Sequence, residues 1–490
     1  VLPLKNQAVQ YSGVWSNNYK PGNIELSTGK LVGLLTSEGY YRLNGSFIHR
    51  KNGVIRKITK ELLYEIVIAL VSVKPVSFKV KGKAGIKIEF SIDPDQLKTI
   101  AQKTLKGNLT QLAIPEFKDP IARDSSSQMY FHFRNKSILV TANSITDVAR
   151  DSFCVWEEQI IKQDVLEEDI FDSSIFETFV KNIAGPNCEA YLTSIGYLLR
   201  DCNGSDGLKA VWLSDAAYEP GKLKGRTGKS LLVKAIGQMR KLDLNSGKEF
   251  NHGDRFKFQT MDRDTQICII DDAKENLSFD GLFNYCTEGV EYQQKYANKV
   301  RLVIQETPKL IITSNYPPPL EQGSSVVGRL IVLPVQPFYS SYAIQGGVKH
   351  VHGHTFFDDW NAAEWNRFYW FMLSCAQKFL KDGLILTDYE TTGRNRLKTI
   401  CAVKLGDADQ ADGLVEWLYN QPSEAFEKFS LDDLKAKWIG SEFDPEYYSI
   451  DNQLFASCLK AFFDLKGWSV KKVIQRIDGI QKRLWKVEAV

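Results

Sequence analysis

Residues Gly225-Arg226-Thr227-Gly228-Lys229-Ser230 join a flexible loop to a cation and a hydroxyl, and the apolar-rich run Leu231 to Met239 follows at once. A loop of this kind opening a helix can hold a nucleoside triphosphate. Its amides and the helix N-terminus face the phosphates, the lysine ammonium neutralises the outer phosphates, and the serine hydroxyl can ligate Mg²⁺. The usual pattern, Gly-x-x-x-x-Gly-Lys-Ser/Thr, puts a glycine where this chain has Leu223, with Gly221 and Gly225 flanking it to supply flexibility.

Further segments could complete such a site. Ile267-Cys268-Ile269-Ile270-Asp271-Asp272 is an apolar run ending in two carboxylates. ATP hydrolysis needs one acid to hold hydrated Mg²⁺ and another to orient or deprotonate the attacking water, and the tip of a buried strand beside the phosphate loop suits both. Lys309 to Asn315 is another apolar run, ending in an amide that can hold the lytic water and the γ-phosphate; read alone, Asn315 is equally a turn former ahead of Pro317-Pro318-Pro319. Between them, Glu288 to Lys299 interleaves polar and aromatic residues with lysines. A hairpin there, projecting Lys295, Tyr296 and Lys299, could touch the phosphates and bases of a single strand, or be a solvated loop. Arg329, just before the apolar run Leu330 to Leu333, could be presented to ATP on a neighbouring subunit.

These residues need a parallel sheet to hold them. Residues 176–345 supply one: a helix over Glu189 to Arg200, a strand at Ala210 to Leu213, the loop with its helix, and strands at Ile267 to Ile270 and Leu310 to Ile312, all continuous apolar runs of the buried-parallel kind. Residues 1–175 read as a mixed α/β region for oligomerisation or DNA contact. It holds short strands around the Asn44-Gly45 turn signal, a helix over Ile58 to Val73, and a strand with one wet face within Lys74 to Phe90. Further helices are predicted at Asp151 to Ile161 and Ser173 to Ile183. Residues 346–412 give an aromatic-rich helix over 355–382 and then a polar linker, and 413–490 give three helices followed by a hairpin about Asp478-Gly479, the order of a winged-helix domain.

A chain of 490 residues is too long for one core, and its 43% hydrophobic and 25% charged residues are those of a globular protein, which excludes disordered and fibrous classes. The net charge of +3 neither demands nor excludes a nucleic-acid partner. The eight cysteines are scattered without a Cys-x-x-Cys, the pattern of reduced thiols in a cytoplasmic protein, and the run Leu62 to Val73 carries Glu65 and is too short for a membrane span.

Taken in order, the motifs resemble those of superfamily 3 helicases, of the AAA+ type. The likeness is greatest to the helicase part of phage and plasmid primase-helicases of the poxvirus type. It covers about residues 210–335, with Gly289 to Tyr296 and Pro308 to Asn315 the most telling stretches, and extends more weakly to Gly39 to Gly45. The resemblance implies an ATP-dependent DNA helicase acting as a hexameric ring on single-stranded or forked DNA, with ATP and Mg²⁺ as cofactors. It implies Lys229 on the phosphates, Ser230 and Asp271 on Mg²⁺, Asp272 as catalytic acid, Asn315 as sensor and Arg329 as finger. Lys295 or Lys299 would contact the strand in the channel.

Two departures bear on turnover. Leu223 changes the loop, and Asp272 stands where Glu is common, one methylene shorter. They keep open a DNA-binding ring with weak ATPase, beside an AAA+ ATPase that loads or remodels protein partners. No primase is recognised here; if the intact protein has one, it is expected upstream of Val1 or on another chain, and Asp169 and Asp172 read as a solvated acidic patch. His350, His352 and His354 would share a face on a strand, but without a carboxylate or Cys spacing they read as an exposed loop. The C-terminal hairpin carries Lys471, Lys472, Arg476, Lys482, Arg483 and Lys486 around Trp485, suited to touching duplex or forked DNA or to capping the ring.

Overall fold

The computed structural model describes residues 12–17, 24–43, 45–81, 87–106, 109–167, 173–204, 207–216, 226–262, 264–274, 277–295, 298–316, 318, 328–387, 389–442, 450–466, 468–477 and 480–489. Packing divides the chain into a first unit of residues 1–122 with 149–160, and a second of 123–148 with 161–490. The domain boundary expected near 175 lies inside the second unit.

The first unit builds its sheet from the antiparallel strands Tyr40–Leu43, Ser46–Lys51 and Val54–Ile58, with Val155–Trp156 added in parallel at the edge. Asn44 lies outside the described residues. The expected helix at 58–73 is Lys60–Val71, capped by the Thr59 hydroxyl, which accepts the Leu62 N–H at 3.1 Å. Lys74 to Phe90 is not one strand but a pair, Val76–Lys81 and Lys87–Ile92. The helix expected at 151–161 is absent. Buried Val155 donates its N–H to the Gly53 carbonyl, so tertiary pairing of a β-branched residue overrides local spacing.

The second unit centres on five strands, labelled β1 (Ala210–Asp215), β2 (Leu242–Ser246), β3 (Ile267–Ala273), β4 (Lys309–Ser314) and β5 (Leu330–Val335). All pairings are parallel, in the order β2-β3-β4-β1-β5. β1, β4 and β5 are buried along their whole length, as their continuous apolar runs require, while edge strand β2 alternates through exposed Leu244. Helices α1 (Ile175–Ala184), α2 (Cys188–Leu199), α3 (Lys229–Gly237) and α4 (Ala362–Asp382) share one core with the sheet. α4 begins at Ala362, not 355, because the Asn361 side chain caps it by accepting the Glu364 N–H. Glu364 in turn accepts from the Ser174 hydroxyl and the Ile175 N–H, tying α4 to the start of α1.

Two buried charge clusters brace this unit. Arg240 bonds Asp124 at 3.2 Å and the Leu199 carbonyl at 2.6 Å, with its guanidinium over the Phe131 ring. Burial, then Asp201, pushes the Asp124 carboxyl up to about 7. Lys309 opens β4 almost wholly buried; its ammonium donates to the Cys202 carbonyl and the Asn203 side chain and lies over the Tyr197 ring.

The C-terminal part has its own core around Leu414, Phe455 and Phe463. Residues 386–413, expected as a linker, are largely the helix Tyr389–Leu405 and the start of Ala408–Asn420. Buried Leu397 and Cys401 anchor the first, so a polar sequence with few apolar residues is held by tertiary contact. The strand Lys428–Phe429, helices Leu431–Glu442 and Asn452–Lys466, and strands Trp468–Ile477 and Ile480–Ala489 follow. The last strand pairs with both others; Asp478 and Gly479 are outside the described residues. Among the described residues no helix is long and apolar enough to cross a membrane.

Candidate nucleotide site

Parallel strands point their C-terminal ends to one edge, where α/β proteins commonly bind ligands. Here that edge gathers Asp215 from β1, Asp271 and Asp272 from β3, and Asn315 just after β4. The chain then enters α3 through Arg226 to Gly228. Gly225, Gly221 and Leu223 lie outside the described residues, as do Asp169 and Asp172.

Gly228 has φ +110°, which favours glycine. A Cβ on it would stand 2.9 Å from two ring carbons of fully buried Phe179 in α1. The loop is thus seated directly on the core. Arg226 also has positive φ, and its guanidinium donates to the Ala343 carbonyl at 3.2 Å.

The Lys229 ammonium is the hub. It donates to Asp215 Oδ1 at 2.5 Å, Asn315 Oδ1 at 3.0 Å and Thr227 Oγ1 at 3.2 Å. The Thr227 hydroxyl donates to the same Asp215 oxygen at 2.7 Å. Lysine and Asp215 are mostly buried, at 11% and 7% side-chain exposure, so their attraction is little screened by water. The loop lysine and the amide at the end of β4, far apart in sequence, therefore meet.

The two acids of β3 are handled differently. Asp271 Oδ1 accepts from the Thr313 hydroxyl at 2.6 Å, and the Thr313 oxygen accepts the Asp272 N–H at 2.9 Å. The β3–β4 register shifts between Ile270 and Ala273, and Asp272 takes φ +57°. This kink sends its carboxylate to Lys248, at 2.7 Å. Strain of this kind at a non-glycine residue is typical of functional sites. For Mg²⁺, which takes one or two carboxylates with phosphate and water oxygens, Asp271 and exposed Ser230 at the start of α3 are a fitting donor set of hard oxygens.

Arg329 is not brought to this edge. Its carbonyl accepts the Ala210 N–H at the opposite end of the sheet, and its guanidinium covers the Phe283 ring at 4.2 Å. The length of β5 puts it about 20 Å from the edge that holds Gly228 to Ser230. Lys295 and Lys299 flank the turn of an antiparallel hairpin, Gly289–Tyr292 with Val300–Val303, whose stem buries Val290, Tyr292 and Leu302. Lys299 pairs with Glu291, holding that carboxyl below its usual range, while Lys295 is exposed. Tyr296 lies outside the described residues. The hairpin's base returns to the Arg329 end, where the Tyr285 hydroxyl donates to the Pro308 carbonyl.

His350 and His352 sit on the single-turn helix Val348–His352, not on a strand or an exposed loop. His352 bonds the Tyr339 hydroxyl at 2.6 Å, and burial lowers its pKa. No group of three metal-ligating side chains forms among the described residues. Sequence reasoning missed Asp215, because the strand was read as ending at Leu213, and Lys248, whose only signal is its closeness to edge strand β2.

No family model and no curated protein sequence matches the chain. Among solved structures, "The A form apo structure of NrS-1 C terminal region-CTR" is similar at 12% identity over 94% of this chain and 99% of that one, with a TM-score of 0.40. A second apo structure of that region gives 0.39 over 94% and 98%. A JCV helicase with a bound small molecule gives 0.26 at 12% identity, over 49% of this chain and 68% of that one.

Proposed function

We propose that the chain is an ATP-dependent DNA helicase of the superfamily 3, AAA+ type, working as a hexameric ring on single-stranded or forked DNA. The observation that carries this reading is the convergence of the Lys229 ammonium on Asp215 and Asn315 at one sheet edge, beside Asp271. Two of the lysine's three polar partners, Asp215 and Asn315, come from strand ends distant from the loop in sequence.

In this reading an arriving triphosphate takes the Lys229 ammonium from Asp215, and the Gly228–Ser230 amides face its phosphates. Ser230 and Asp271 would hold Mg²⁺, which supplies charge neutralisation on the phosphate oxygens when bound. Asn315 stays within reach of Lys229 and so of the γ-phosphate. Asp272 orients the lytic water after leaving Lys248. Arg329 acts on the ATP of a neighbouring subunit, since its own phosphate loop lies at the other end of the sheet. Lys295, Lys299 and Tyr296 contact the strand. The C-terminal helices and three-stranded sheet form a winged helix, a primase is supplied from elsewhere, and the protein works in the cytoplasm.

The test is steady-state ATPase with and without single-stranded DNA, together with unwinding of a forked duplex. The wild type hydrolyses ATP faster with DNA, and Lys229→Ala abolishes both activities; equal rates in the two proteins would overturn the proposal. A second reading, a ring that remodels protein partners, is favoured by the neutralisation of Lys299 by Glu291. Loss of DNA stimulation in the Lys295→Ala/Lys299→Ala double variant decides for the helicase, and its persistence for the alternative.

A further inference from the structure

A cavity of about 590 Å³ runs along the outer face of α3, lined by Leu231, Lys234, Gly237 and Gln238. It begins one residue past Ser230 and extends about 9 Å along the helix. Its far wall is the segment 354–358 with Val348 and Lys349. The cavity shares helix α3 with the Gly228–Ser230 loop. Phe179, on which Gly228 rests, also packs against Phe356 of the cavity wall, with ring centroids 5.5 Å apart.

Its size is that of a small-molecule site, and its lining mixes apolar residues with the cationic side chains of Lys234, Arg240, Lys241 and Lys349. Leu231, Leu242, Val348 and Phe356 offer apolar walls that a flat ring can stack on. Gln238 offers an amide whose donor and acceptor can pair with the N6 and N7 edge of adenine, and Asp358 and Thr355 can take sugar hydroxyls. Exposed Lys234 lies on the same face of α3, where it can meet the α-phosphate. Phe357, also in the wall, is held at φ +71°, costly for a bulky residue and tolerated where the surroundings fix it.

Given the nucleotide reading of the phosphate loop, on which this rests, we propose that the cavity along α3 receives the purine nucleoside half of the bound nucleotide, with Gln238 reading the base. The site then divides into a phosphate half at the sheet edge and a base half along the helix, and the base half sets selectivity among nucleotides.

The experiment compares ATP, CTP and inorganic tripolyphosphate binding, each with Mg²⁺, to the full chain. Gln238→Trp fills the cavity from its rim, and Gln238→Ala removes the amide without filling it. ATP affinity should fall at least tenfold in Gln238→Trp and severalfold in Gln238→Ala, tripolyphosphate binding should stay within twofold, and the wild type should prefer ATP over CTP. Parallel loss of ATP and tripolyphosphate, or no loss of either, overturns the assignment. Photolabelling with 8-azido-ATP is a second measurement that does not depend on a folded variant. Label on 231–242 or 348–358 supports the cavity, and label elsewhere overturns it. Failure of the wild type to bind tripolyphosphate would instead overturn the phosphate-loop reading itself, and this assignment with it.

Discussion

Gly228→Ala is the most direct test of how the phosphate loop is seated. The position has φ +110°, where an L side chain costs about 1–2 kcal/mol. The new methyl would stand 2.9 Å from two carbons of Phe179, whose fully buried ring has little room to move. Overpacking at such a point costs about 1–3 kcal/mol. Together these give about 2–5 kcal/mol against the loop conformation, or a rise in the dissociation constant for ATP of about thirtyfold or more. Isothermal titration with ATP, alongside thermal melting to check that the fold survives, measures it. Adding Phe179→Leu should recover the steric part and leave the backbone part, a coupling of about 1 kcal/mol or more in a double-mutant cycle. If Gly228→Ala binds ATP within twofold of wild type, or if Phe179→Leu recovers nothing, the loop is not braced as described.

Asp271→Asn should lower hydrolysis by about a hundredfold or more while leaving ATP binding without Mg²⁺ nearly unchanged, which separates a metal ligand from a general weakening of the site. Arg329→Ala should depress hydrolysis in assembled protein, and mixing it with Lys229→Ala subunits should restore part of the activity if the arginine acts on a neighbour's nucleotide; no restoration by mixing would rule out action in trans. Burial, then Arg200, holds the Lys309 ammonium down to about 7, against an ordinary value of 10.5. Between these values the unfolded chain binds more protons, so stability should rise by up to a few kcal/mol from about pH 7 to pH 10. In Lys309→Met that rise should be lost, as read from melting temperatures across the range.

The parts of the site legible in the sequence were those with a local signature. Gly228-Lys229-Ser230 carries its chemistry in consecutive residues, and the apolar runs Ile267 to Ile270 and Leu310 to Ile312 could hardly be anything but buried strands. β2 escaped because its residue types oppose the faces they occupy: Asp243 is buried while Leu244 is exposed, so no apolar alternation marks the strand. Asp215 escaped because its role depends on strand order, which brings β1 beside β4 and so joins residues 215, 229 and 315, and no spacing rule encodes that meeting. Residues 389–405 read as a linker because their helix is fixed by a few contacts from elsewhere, through Leu397 and Cys401, and not by a stripe of its own.

The Lys229–Asp215 contact also makes the loop lysine a guarded one. The chain carries its own tethered anion, poised 2.5 Å from the cation that a ligand needs. An incoming anion must out-compete a carboxylate whose effective concentration is set by covalent attachment, and it must do so where solvent scarcely helps. Dilute singly charged salts are poor rivals for such an incumbent. A polyphosphate, which brings several charges and takes up the Gly228–Ser230 amides in the same step, is a good one. On the proposed reading, the Asp215 contact would favour triphosphates over singly charged anions before any base or metal is recognised.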